Sequence, residues 1–556
     1  MRTPAALFLA SLLPFILWLG AEPIWSLDEA RPALVATEMV TTGQWAIPRI
    51  GGRVYPDKPP LFMWVVALLS PRGITEWTLR LPSAITTAAT VAATYLIGAR
   101  LAGHGAGLVA AGALASSFGV FQWARTGRME ALLVLWITLG VWSLTRWLDE
   151  GRQRDALAFG LWAGLAVLTK GPLVLILLLT ALGALLVSSK QRTAALGPGA
   201  LALGTGLGIV LSWIGVAALF SPDFGDYVRN LAPAIEEEVR THPQRHPLYA
   251  ASIVGAGFLP WTFLLPATLA MLVCEGRDAW RSLRVPLLWA GVVFVMFAVV
   301  FWAREAYLLP IYPPLALLVG WAWNRARGAM RWWVAGPIAV LVFWLAILVA
   351  AAMVSGQTIV RYDVRIPVAG WPAVLVTCMA LVTAVALYVL TRRGRPVAAA
   401  LVLAAAALGV LLLIDKTIAI PTTNHAYPTP AAAARLSGHL PAEARLAYVD
   451  RRQAAALVFY LRKPSILLAT VDDASALVGR SDVYLLVPDA EFQRAQKVLG
   501  LPVTRIDQVV VRNVVYVLAV LRGDQRAAAD CRDPAASVGG RKPPSEVYPR
   551  ATVNAT

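Results

Sequence analysis

Long apolar runs, separated by short polar or charged stretches, recur from the start of the chain to about residue 414. A bilayer core takes about 20 apolar residues per helix, so runs of this length predict membrane-spanning helices. We count about thirteen predicted spans. They are centred near residues 13, 90, 114, 138, 162, 180, 208, 261, 292, 316, 343, 381 and 405. The pattern predicts an all-α polytopic membrane domain.

Two apolar runs are interpreted differently from the rest. Residues 61–69 are too few to cross a bilayer and have Pro59, Pro60 and Pro71 around them, which predicts a helix lying in the membrane interface. The first run has the size of a signal peptide, but Glu22-Pro23 is a poor cleavage site because such sites carry small residues. The first run is therefore predicted to be a membrane anchor.

The composition agrees with a membrane protein. Hydrophobic residues make up 58% of the chain and charged residues 15%, and the mean hydropathy is +0.64. A water-soluble domain has no interior large enough for so much apolar sequence. The three cysteines, Cys274, Cys378 and Cys531, suggest no disulfide framework.

The basic residues of the short loops predict the orientation. With the N-terminus inside, alternate loops are rich in Arg and Lys, which is typical of the cytoplasmic side. These residues are Arg146, Arg152, Arg154, Lys190, Arg192, Arg277, Arg281, Arg284, Arg325, Arg327, Arg331, Arg392, Arg393 and Arg395. Thirteen spans then place the C-terminal part outside, and one span more or fewer would reverse its side.

Nine further cations fall on the opposite side, where they do not help the orientation. They are Arg31, Lys58, Arg80, Arg125, Arg128, Lys170, Arg240, Arg245 and Arg304. Lipid phosphates are natural counter-ions at that depth. Isolated side chains reaching for headgroups are the alternative for each residue taken singly. The set as a whole favours an anionic lipid ligand.

The polar stretch 28–61 follows the first apolar run and is the predicted location of an active site. It opens with Asp28-Glu29 and closes with Asp57-Lys58. Ionisable groups held at a membrane boundary are costly and usually mark a substrate pathway. Asp28 could instead cap the helix that follows it.

Several classes of chemistry have no motif in the sequence. A phosphate-binding Walker loop, a Gly-rich dinucleotide fingerprint and a His/Cys cluster with zinc spacing are all absent from it. An activated lipid substrate is therefore expected to supply the energy of any reaction. No nucleic-acid partner and no required cofactor are predicted.

The long apolar runs end near residue 415, and shorter alternating apolar and polar segments follow. Strands are predicted at 445–450, 482–487 and 514–520, with helices at 454–461 and 491–499. The predicted organisation is a membrane domain at 1–415 with its first external loop at 22–80, a small α/β domain at 416–522 and a flexible tail at 523–556.

The membrane region resembles the ArnT family of 4-amino-4-deoxy-L-arabinose lipid A transferases. More broadly it is similar to the GT-C membrane glycosyltransferases that include protein O-mannosyltransferases. The stretches that carry the resemblance are DEARPALVATEMVTTGQWAIPRIGGRVYPDKPPLFMW, WTLRLPSAI, ARTGRMEALL, LTKGP, RHPLYAASIVGAGFLPWTFLLP and YLLPIYPPLALL. They occur in order along the membrane region, whereas the C-terminal domain matches only in position and size.

The resemblance implies transfer of a sugar from a polyprenyl phosphate donor on the periplasmic side of the bacterial inner membrane, with inversion at the anomeric carbon. It makes Asp28 the leading catalytic residue, with Glu130 standing where the family usually has aspartate. Lys58 matches the lysine that contacts the donor phosphate. The full set of predicted donor-phosphate residues is Lys58, Lys170, Arg240, Arg304 and Tyr307.

Other residues are predicted to contact the sugar or the acceptor, or to hold a metal. Glu29, Arg31, Arg80 and Arg128 form the first group. Asp57, His242 and His246 could bind a divalent ion, although a histidine bonded within a loop is the simpler interpretation. The favoured sugar is 4-amino-4-deoxy-L-arabinose and the favoured acceptor is a lipid A phosphate.

Three alternatives stay open at this point. A neutral sugar could be transferred to another envelope glycan or to a protein hydroxyl. A lipid flippase would also need many spans and a basic cavity, but transporters place key charges near the bilayer midplane. A non-catalytic scaffold would leave nine external cations unexplained.

Overall fold

The chain forms two compact units in the computed structural model. The structure describes residues 2–187, 196–240, 247–300, 305–325, 358–361, 364–367, 371–450, 453–477, 482–499 and 503–522. The first unit comprises residues 1–22, 42–48 and 55–423, and we call it the membrane unit. The second comprises 23–41, 49–54 and 424–556, and we call it the α/β unit.

The membrane unit is helical. Its helices are α1 (Arg2–Ile16), α3 (Leu61–Leu68), α4 (Glu76–Ala102), α5 (His104–Ala115), α6 (Phe118–Ala124), α7 (Glu130–Glu150), α8 (Gln153–Lys170), α9 (Leu175–Val187), α10 (Leu196–Phe220), α11 (Phe224–Arg240), α12 (Pro247–Gly257), α13 (Leu265–Glu275), α14 (Arg277–Val295), α15 (Tyr312–Arg325), α16 (Trp371–Arg392) and α17 (Pro396–Ile414). Short 3₁₀ helices cover Gly171–Val174, Trp261–Leu264 and Glu305–Ile311, and π-helical turns cover Met296–Val300 and Asp415–Ala419. A two-stranded hairpin pairs β3 (Thr358–Arg361) with β4 (Val364–Pro367).

Many of these helices are suited to crossing a bilayer, as the apolar runs predict. Within the described residues, seven helices are long and apolar enough to span a membrane, and two bent pairs would raise the number to nine. Helix α1 and residues Cys378–Arg392 are apolar but shorter. The predicted span near 343 lies outside the described residues, and every other predicted centre falls in a helix or at a bend between two. The helical membrane class is confirmed, whereas the count of thirteen is not.

The bends have local causes. Helices α5 and α6 meet at 64°, where the Trp261 indole donates to Ser116 Oγ at 2.9 Å and helps to hold the break. Helices α12 and α13 belong to a pair bent by 108°, with Pro260 at the turn. Proline cannot continue the hydrogen-bond ladder of a helix, so a sharp turn at this position is expected.

Close helix packing in this unit depends on small residues. A Cβ on Gly98 of α4 would lie 2.9 Å from Gly107 Cα of α5, closer than such atoms approach. Small residues allow helix backbones to come together in membranes, where van der Waals contact drives association.

The short helix predicted around 61–69 is confirmed as α3.

The α/β unit is built on a five-stranded sheet with the order β6-β5-β7-β9-β8. Its strands are β5 (Arg445–Val449), β6 (Ser465–Leu468), β7 (Val483–Pro488), β8 (Val503–Val511) and β9 (Val514–Leu521). Strand β5 pairs parallel with β6 and β7, while β9 pairs antiparallel with β7 and β8. Its helices are α19 (Thr429–Ser437), α20 (Ala454–Leu461) and α21 (Asp489–Val498), with a 3₁₀ helix at Val471–Leu477. A short helix α18 (Ile420–Ala426) includes residue 423, where the membrane unit ends.

Three strands and two helices of this unit were predicted, and all five are present within a few residues of the expected bounds. Strands β6 and β8 were missed. β6 is only four residues long, and β8 carries Arg505, Asp507 and Gln508 in its middle, so neither gives a clear apolar pattern. Both lie at an edge of the sheet, where one side needs no partner strand and sequence constraints are weaker.

Part of the segment 22–80, predicted to be the first external loop, belongs to the α/β unit. Helix α2 (Leu27–Thr42) and the hairpin β1 (Arg49–Ile50) to β2 (Arg53–Val54) group with it up to residue 54, apart from 42–48. The sequence analysis assigned all of 22–80 to the membrane domain, and the structure differs because the hairpin bonds to the sheet: Leu467 N–H donates to Gly51 O at 3.1 Å. Gly51 and Gly52 have φ of 58° and 77°, which a two-residue hairpin turn requires.

Candidate active site

Three cations and one carboxylate form a cluster in the membrane unit, which we call the basic cluster: Lys58, Arg128, Glu130 and Lys170. Lys170 Nζ lies 2.7 Å from Glu130 Oε1, and the two side chains are 6% and 5% exposed. Arg128 donates from Nη2 to Glu130 Oε1 at 3.0 Å and from Nε to Oε2 at 3.3 Å. Both carboxylate oxygens are therefore bonded to cations.

Helix ends place these side chains. Glu130 is the first residue of α7 and Lys170 the last of α8, and Gly171 with φ of 56° ends that helix. The loop before α7 is pressed against α4, because a Cβ on Gly127 would lie 2.4 Å from Leu79 Cγ. Because Gly127 has no side chain, the loop can lie against Leu79. Arg128, the next residue in this loop, bonds to Glu130 at the start of α7.

Aromatic rings flank two of the cations. Lys170 Nζ lies 3.9 Å from the centre of the Tyr307 ring, and the Arg128 guanidinium lies 4.8 Å from the centre of the Trp123 ring. A ring face attracts a cation and replaces part of its lost hydration. Tyr307 was predicted to bind the donor phosphate, and the structure places it against a second residue of that set. Trp123 was not predicted.

Lys58 completes the cluster. It lies close enough to Lys170 for the two ammonium groups to oppose each other electrostatically. Lys170 and Arg128 contact the Glu130 carboxylate, and Lys58 adds a further positive charge beside Lys170. Like charges brought together away from bulk water are costly, and an anionic ligand would offset that cost. This arrangement is suited to binding a phosphate.

Asp57, the neighbour of Lys58 in the chain, interacts electrostatically with Tyr227. The phenol of Tyr227 on α11 is buried, and its pKa is raised to about 12 by burial first and by the Asp57 carboxylate second. Tyr227 consequently keeps its proton at neutral pH. The ring of Trp213 packs edge-on to it at 5.8 Å, and the Trp213 indole donates to Ala46 O at 2.9 Å. The sequence analysis did not single out either aromatic residue.

Two other cations of the predicted external set bond to the end of helix α1 and the residues after it. Arg125 donates to the carbonyl oxygens of Phe15 and Leu17 at 3.1 and 2.6 Å and to Asp415 Oδ2 at 2.8 Å. Arg80 donates to the carbonyl oxygens of Leu19 and Glu22 at 3.1 and 2.8 Å.

Arg125 and Arg80 therefore have partners within the chain, and the inference that the set of nine cations favours an anionic lipid ligand stays a prediction. A helix ends with unpaired carbonyls that need donors, and in an apolar region arginine supplies them. Asp415 had a signal in the sequence that was not used, since a lone carboxylate at the end of an apolar run calls for a partner. The predicted acceptor contact of Arg80 stays a prediction beside these observed bonds.

The remaining residues of the predicted loop site lie on α2 in the α/β unit. Ser26 caps this helix, because its carbonyl accepts the Ala30 N–H at 2.9 Å and its Oγ lies 3.3 Å from the Glu29 amide. The alternative that Asp28 is the cap was therefore wrong. Asp28 and Glu29 occupy the first turn, and Glu29 is 3% exposed. Arg31 forms an ion pair with Asp450.

Several predicted residues fall outside the description. Arg245, His242, His246 and Arg304 lie outside the described residues, and for Arg240 only the backbone, at the end of α11, is described. Within the described ranges, no group of three His, Cys, Asp or Glu side chains could hold a metal ion. The divalent-ion site stays a prediction.

Both the sequence and the fold of this chain match those of known proteins. The family model described as dolichyl-phosphate-mannose-protein mannosyltransferase matches residues 57–214, which include the whole basic cluster. Relatives named undecaprenyl phosphate-alpha-4-amino-4-deoxy-L-arabinose arabinosyl transferase include one from Shewanella sediminis, 28% identical over 56% of this chain and 59% of its own length. One from Pseudomonas aeruginosa is 29% identical over 58% of this chain and 59% of its own. This chain thus spans about three fifths of the length of the relatives it matches.

The fold is also that of a solved structure. ArnT from Cupriavidus metallidurans bound to undecaprenyl phosphate superposes with a TM-score of 0.73 over 92% of this chain and 97% of that one. The identity is 20%, so this likeness concerns the fold. The resemblance to ArnT-like GT-C membrane glycosyltransferases, inferred from the loop motifs, is confirmed.

Proposed function

We propose that this protein is an integral membrane glycosyltransferase that takes a sugar from a polyprenyl phosphate donor. In the favoured form the sugar is 4-amino-4-deoxy-L-arabinose, the acceptor is a phosphate of lipid A, and transfer takes place on the periplasmic side of the inner membrane. The names of the relatives support the donor and the sugar. The resemblance of the first loop supports the acceptor.

The basic cluster is the observation that carries the proposal. Lys170 and Arg128 are bonded to Glu130, Lys58 lies beside Lys170, and two members of the cluster are almost fully buried. Buried charge inside an apolar protein is expensive and is retained where it serves a ligand or a reaction. A polyprenyl phosphate brings an anionic group attached to an apolar chain, which is the chemistry that such a cluster in a helical membrane unit would accept.

The transfer would be a single displacement at the anomeric carbon of the donor sugar. The acceptor oxygen forms a bond to the anomeric carbon while the bond from that carbon to the donor phosphate oxygen breaks, and the polyprenyl phosphate leaves with the electron pair. Lys58 and Lys170 would stabilise the charge that develops on the leaving phosphate, because preplaced cations need no reorganisation during the reaction. Arg128, which the sequence analysis assigned to the sugar or the acceptor, would add to the positive charge of the cluster, held there by its bonds to Glu130. A single displacement inverts the configuration at the anomeric carbon.

The two predicted catalytic carboxylates take different roles in this scheme. Glu130 organises the cations, since both of its oxygens already accept bonds from Lys170 and Arg128. Asp28 acts at the acceptor. A lipid phosphate is largely ionised at neutral pH, so Asp28 would mainly orient it, whereas a hydroxyl acceptor would need Asp28 as the general base.

A second acceptor class has an observation in its favour. The family model that matches residues 57–214 is that of protein mannosyltransferases. A neutral sugar on an envelope glycan or on a protein hydroxyl is therefore the runner-up. The two differ in charge, because an amino sugar adds a cation to an anionic phosphate and a neutral sugar leaves the charge of its acceptor unchanged.

Turnover by the purified protein tests the enzyme class. Protein in detergent is incubated with labelled polyprenyl-phosphate aminoarabinose and lipid A, and label should appear on the lipid A. A flippase or a scaffold would move or bind the lipid without transferring label. A Lys58→Ala, Lys170→Ala double variant serves as the control.

Mass spectrometry of lipid A tests the acceptor. Lipid A from cells with the gene, grown under conditions that induce it, should contain a mass increment of one amino-pentose that is missing without the gene. Identical spectra would reject lipid A as acceptor, and they would favour the runner-up if the purified protein then transfers label from a polyprenyl-phosphate sugar to a glycan or a protein hydroxyl.

A further inference from the structure

The α/β unit holds helix α2 through contacts far apart in the sequence. Arg31 Nε donates to Asp450 Oδ2 at 2.7 Å across 419 positions, and the two side chains are 31% and 13% exposed. Just before the helix, the Ile24 N–H donates to the Tyr460 hydroxyl at 2.7 Å. The first turn of α2, which carries Asp28 and Glu29, lies between these two attachments in the chain.

The aromatic ring beside this turn is fixed as well. Trp25 stacks on Tyr427, with ring centres 4.8 Å apart and planes at 23°. The Arg512 guanidinium lies 5.6 Å from the centre of the same tyrosine ring. Stacked aromatic pairs of this kind stabilise a fold beyond the apolar area that they bury. Residues 24 and 25 are thus anchored by side chains of the C-terminal part of the chain.

The far half of the helix is anchored through the β1–β2 hairpin. The Glu38 carboxylate lies 3.2 Å from the Gly52 amide, which donates to it. The hairpin is in turn bonded to the sheet through the Leu467 amide and Gly51 O at 3.1 Å. A Cβ on Gly51 would lie 2.4 Å from Leu467 N, so the contact is close and leaves no room for a side chain.

The strand that precedes Asp450 is central in the sheet and largely buried. Asp450 directly follows β5, which lies inside the sheet between β6 and β7 and has four of its five residues buried. An ion pair from such a strand fixes a helix better than one from a mobile surface loop. Because Arg31 lies one turn beyond Asp28, its attachment limits both the rotation and the translation of the first turn.

We propose that Arg31 and Asp450 are positioning residues for the reaction and that the α/β unit serves to hold the first turn of α2, with Asp28, in its catalytic place. The inference rests on the proposed function. It replaces the predicted sugar or acceptor contact of Arg31 with an indirect role, and it gives the C-terminal domain a task in the transfer that needs no substrate contact of its own.

Turnover of the full-length protein in detergent tests the proposal. Asp450→Asn should lower kcat by about tenfold or more while KM for the polyprenyl-phosphate sugar changes by less than about twofold, because a misplaced group costs rate rather than donor affinity. The charge-exchanged double variant Arg31→Asp, Asp450→Arg should recover a measurable part of kcat. Asp489→Asn, which breaks the Arg505–Asp489 pair elsewhere in this unit, is the matched control and should retain wild-type kcat.

Hydrogen exchange of the same proteins supplies a readout that does not depend on turnover. Asp450→Asn should speed exchange of the α2 amides and leave the amides of β7 and β9 unchanged. Unchanged kcat in Asp450→Asn, an equal loss in Asp489→Asn, or no recovery in the double variant would each overturn the positioning role. A wild-type protein without turnover would instead overturn the proposed function, and unaltered α2 exchange in the variant would then also reject the attachment.

Discussion

The two predicted catalytic carboxylates sit in different surroundings, one in each unit. Glu130 in the membrane unit is 4% exposed and is bonded through both oxygens to Lys170 and Arg128. Asp28 in the α/β unit occupies the first turn of a helix that Ser26 caps and that Arg31 ties to Asp450. One carboxylate is enclosed by charges, and the other is carried on an anchored helix.

This difference indicates a division of labour. A carboxylate whose oxygens are already engaged by two cations is suited to holding them in place. A carboxylate at the start of an anchored helix is suited to acting on a second substrate, provided that its helix is held still. The experiments below test whether the division is real, starting with the largest expected effect.

Replacing Asp28 should abolish transfer. Asp28→Asn removes a charge but little volume, so the protein should still fold and insert into the membrane. General acid–base or orienting groups contribute about 10²- to 10⁴-fold to a rate, and a loss in that range is expected in the detergent assay. Turnover comparable to the wild type would remove Asp28 from the mechanism, and donor binding measured in parallel should be unchanged.

Replacing Glu130 should affect stability as well as activity. Glu130→Ala leaves the buried Lys170 and the half-buried Arg128 without their anion, and breaking a buried ion pair in this way costs about 3–5 kcal/mol. Thermal unfolding in detergent should show the loss, and added polyprenyl phosphate should restore more stability to this variant than to the wild type. Glu130→Asp keeps the charge and should be milder. An unaltered melting temperature in Glu130→Ala would contradict the organising role.

Removing a cation of the basic cluster should weaken donor retention. Lys58→Ala deletes a charge-assisted contact worth about 1.5–3 kcal/mol, which corresponds to a Kd for polyprenyl phosphate raised about 10- to 100-fold. Lys170→Ala and Arg240→Ala should have smaller effects in the same direction. Native mass spectrometry or thermal shift with the lipid measures this. Unchanged binding in all three variants would place the phosphate site elsewhere.

An exposed pair in the α/β unit should matter least. Arg435 Nε donates to Asp507 Oδ2 at 2.9 Å on the surface, and exposed pairs of this kind contribute little. Asp507→Asn should leave turnover unchanged. Hydrogen bonding from Arg435 lowers the pKa of Asp507, so any contribution to stability is present at neutral pH and is lost as the pH falls through that lowered pKa. Melting temperatures of variant and wild type should therefore converge in acid, and a large difference at neutral pH would show that the pair is more than a surface contact.

The membrane class and the basic cluster were accessible from the sequence for a physical reason. A bilayer demands long apolar helices, and charged residues beside them are rare enough to be noticed singly. Lys58, Arg128, Glu130 and Lys170 were all named in advance on that basis and by family resemblance. Asp415, Tyr227 and Trp213 were not, because neither an isolated acid nor two aromatic residues reveal which neighbours they will meet.

The sequence alone determined the helical membrane class, the α/β character of the C-terminal part and most of the charged residues of the candidate site. These properties follow from the local pattern of apolar residues and from the cost of placing charge in apolar surroundings. Both can be recognised from residues that are close together in the sequence. Only the tertiary structure decided which cations contact Glu130, which ones bind the carbonyls at the end of α1, and that α2 belongs to the same unit as residues 445–521. Partners such as Arg31 and Asp450 are 419 positions apart, and no local pattern encodes a contact over that separation.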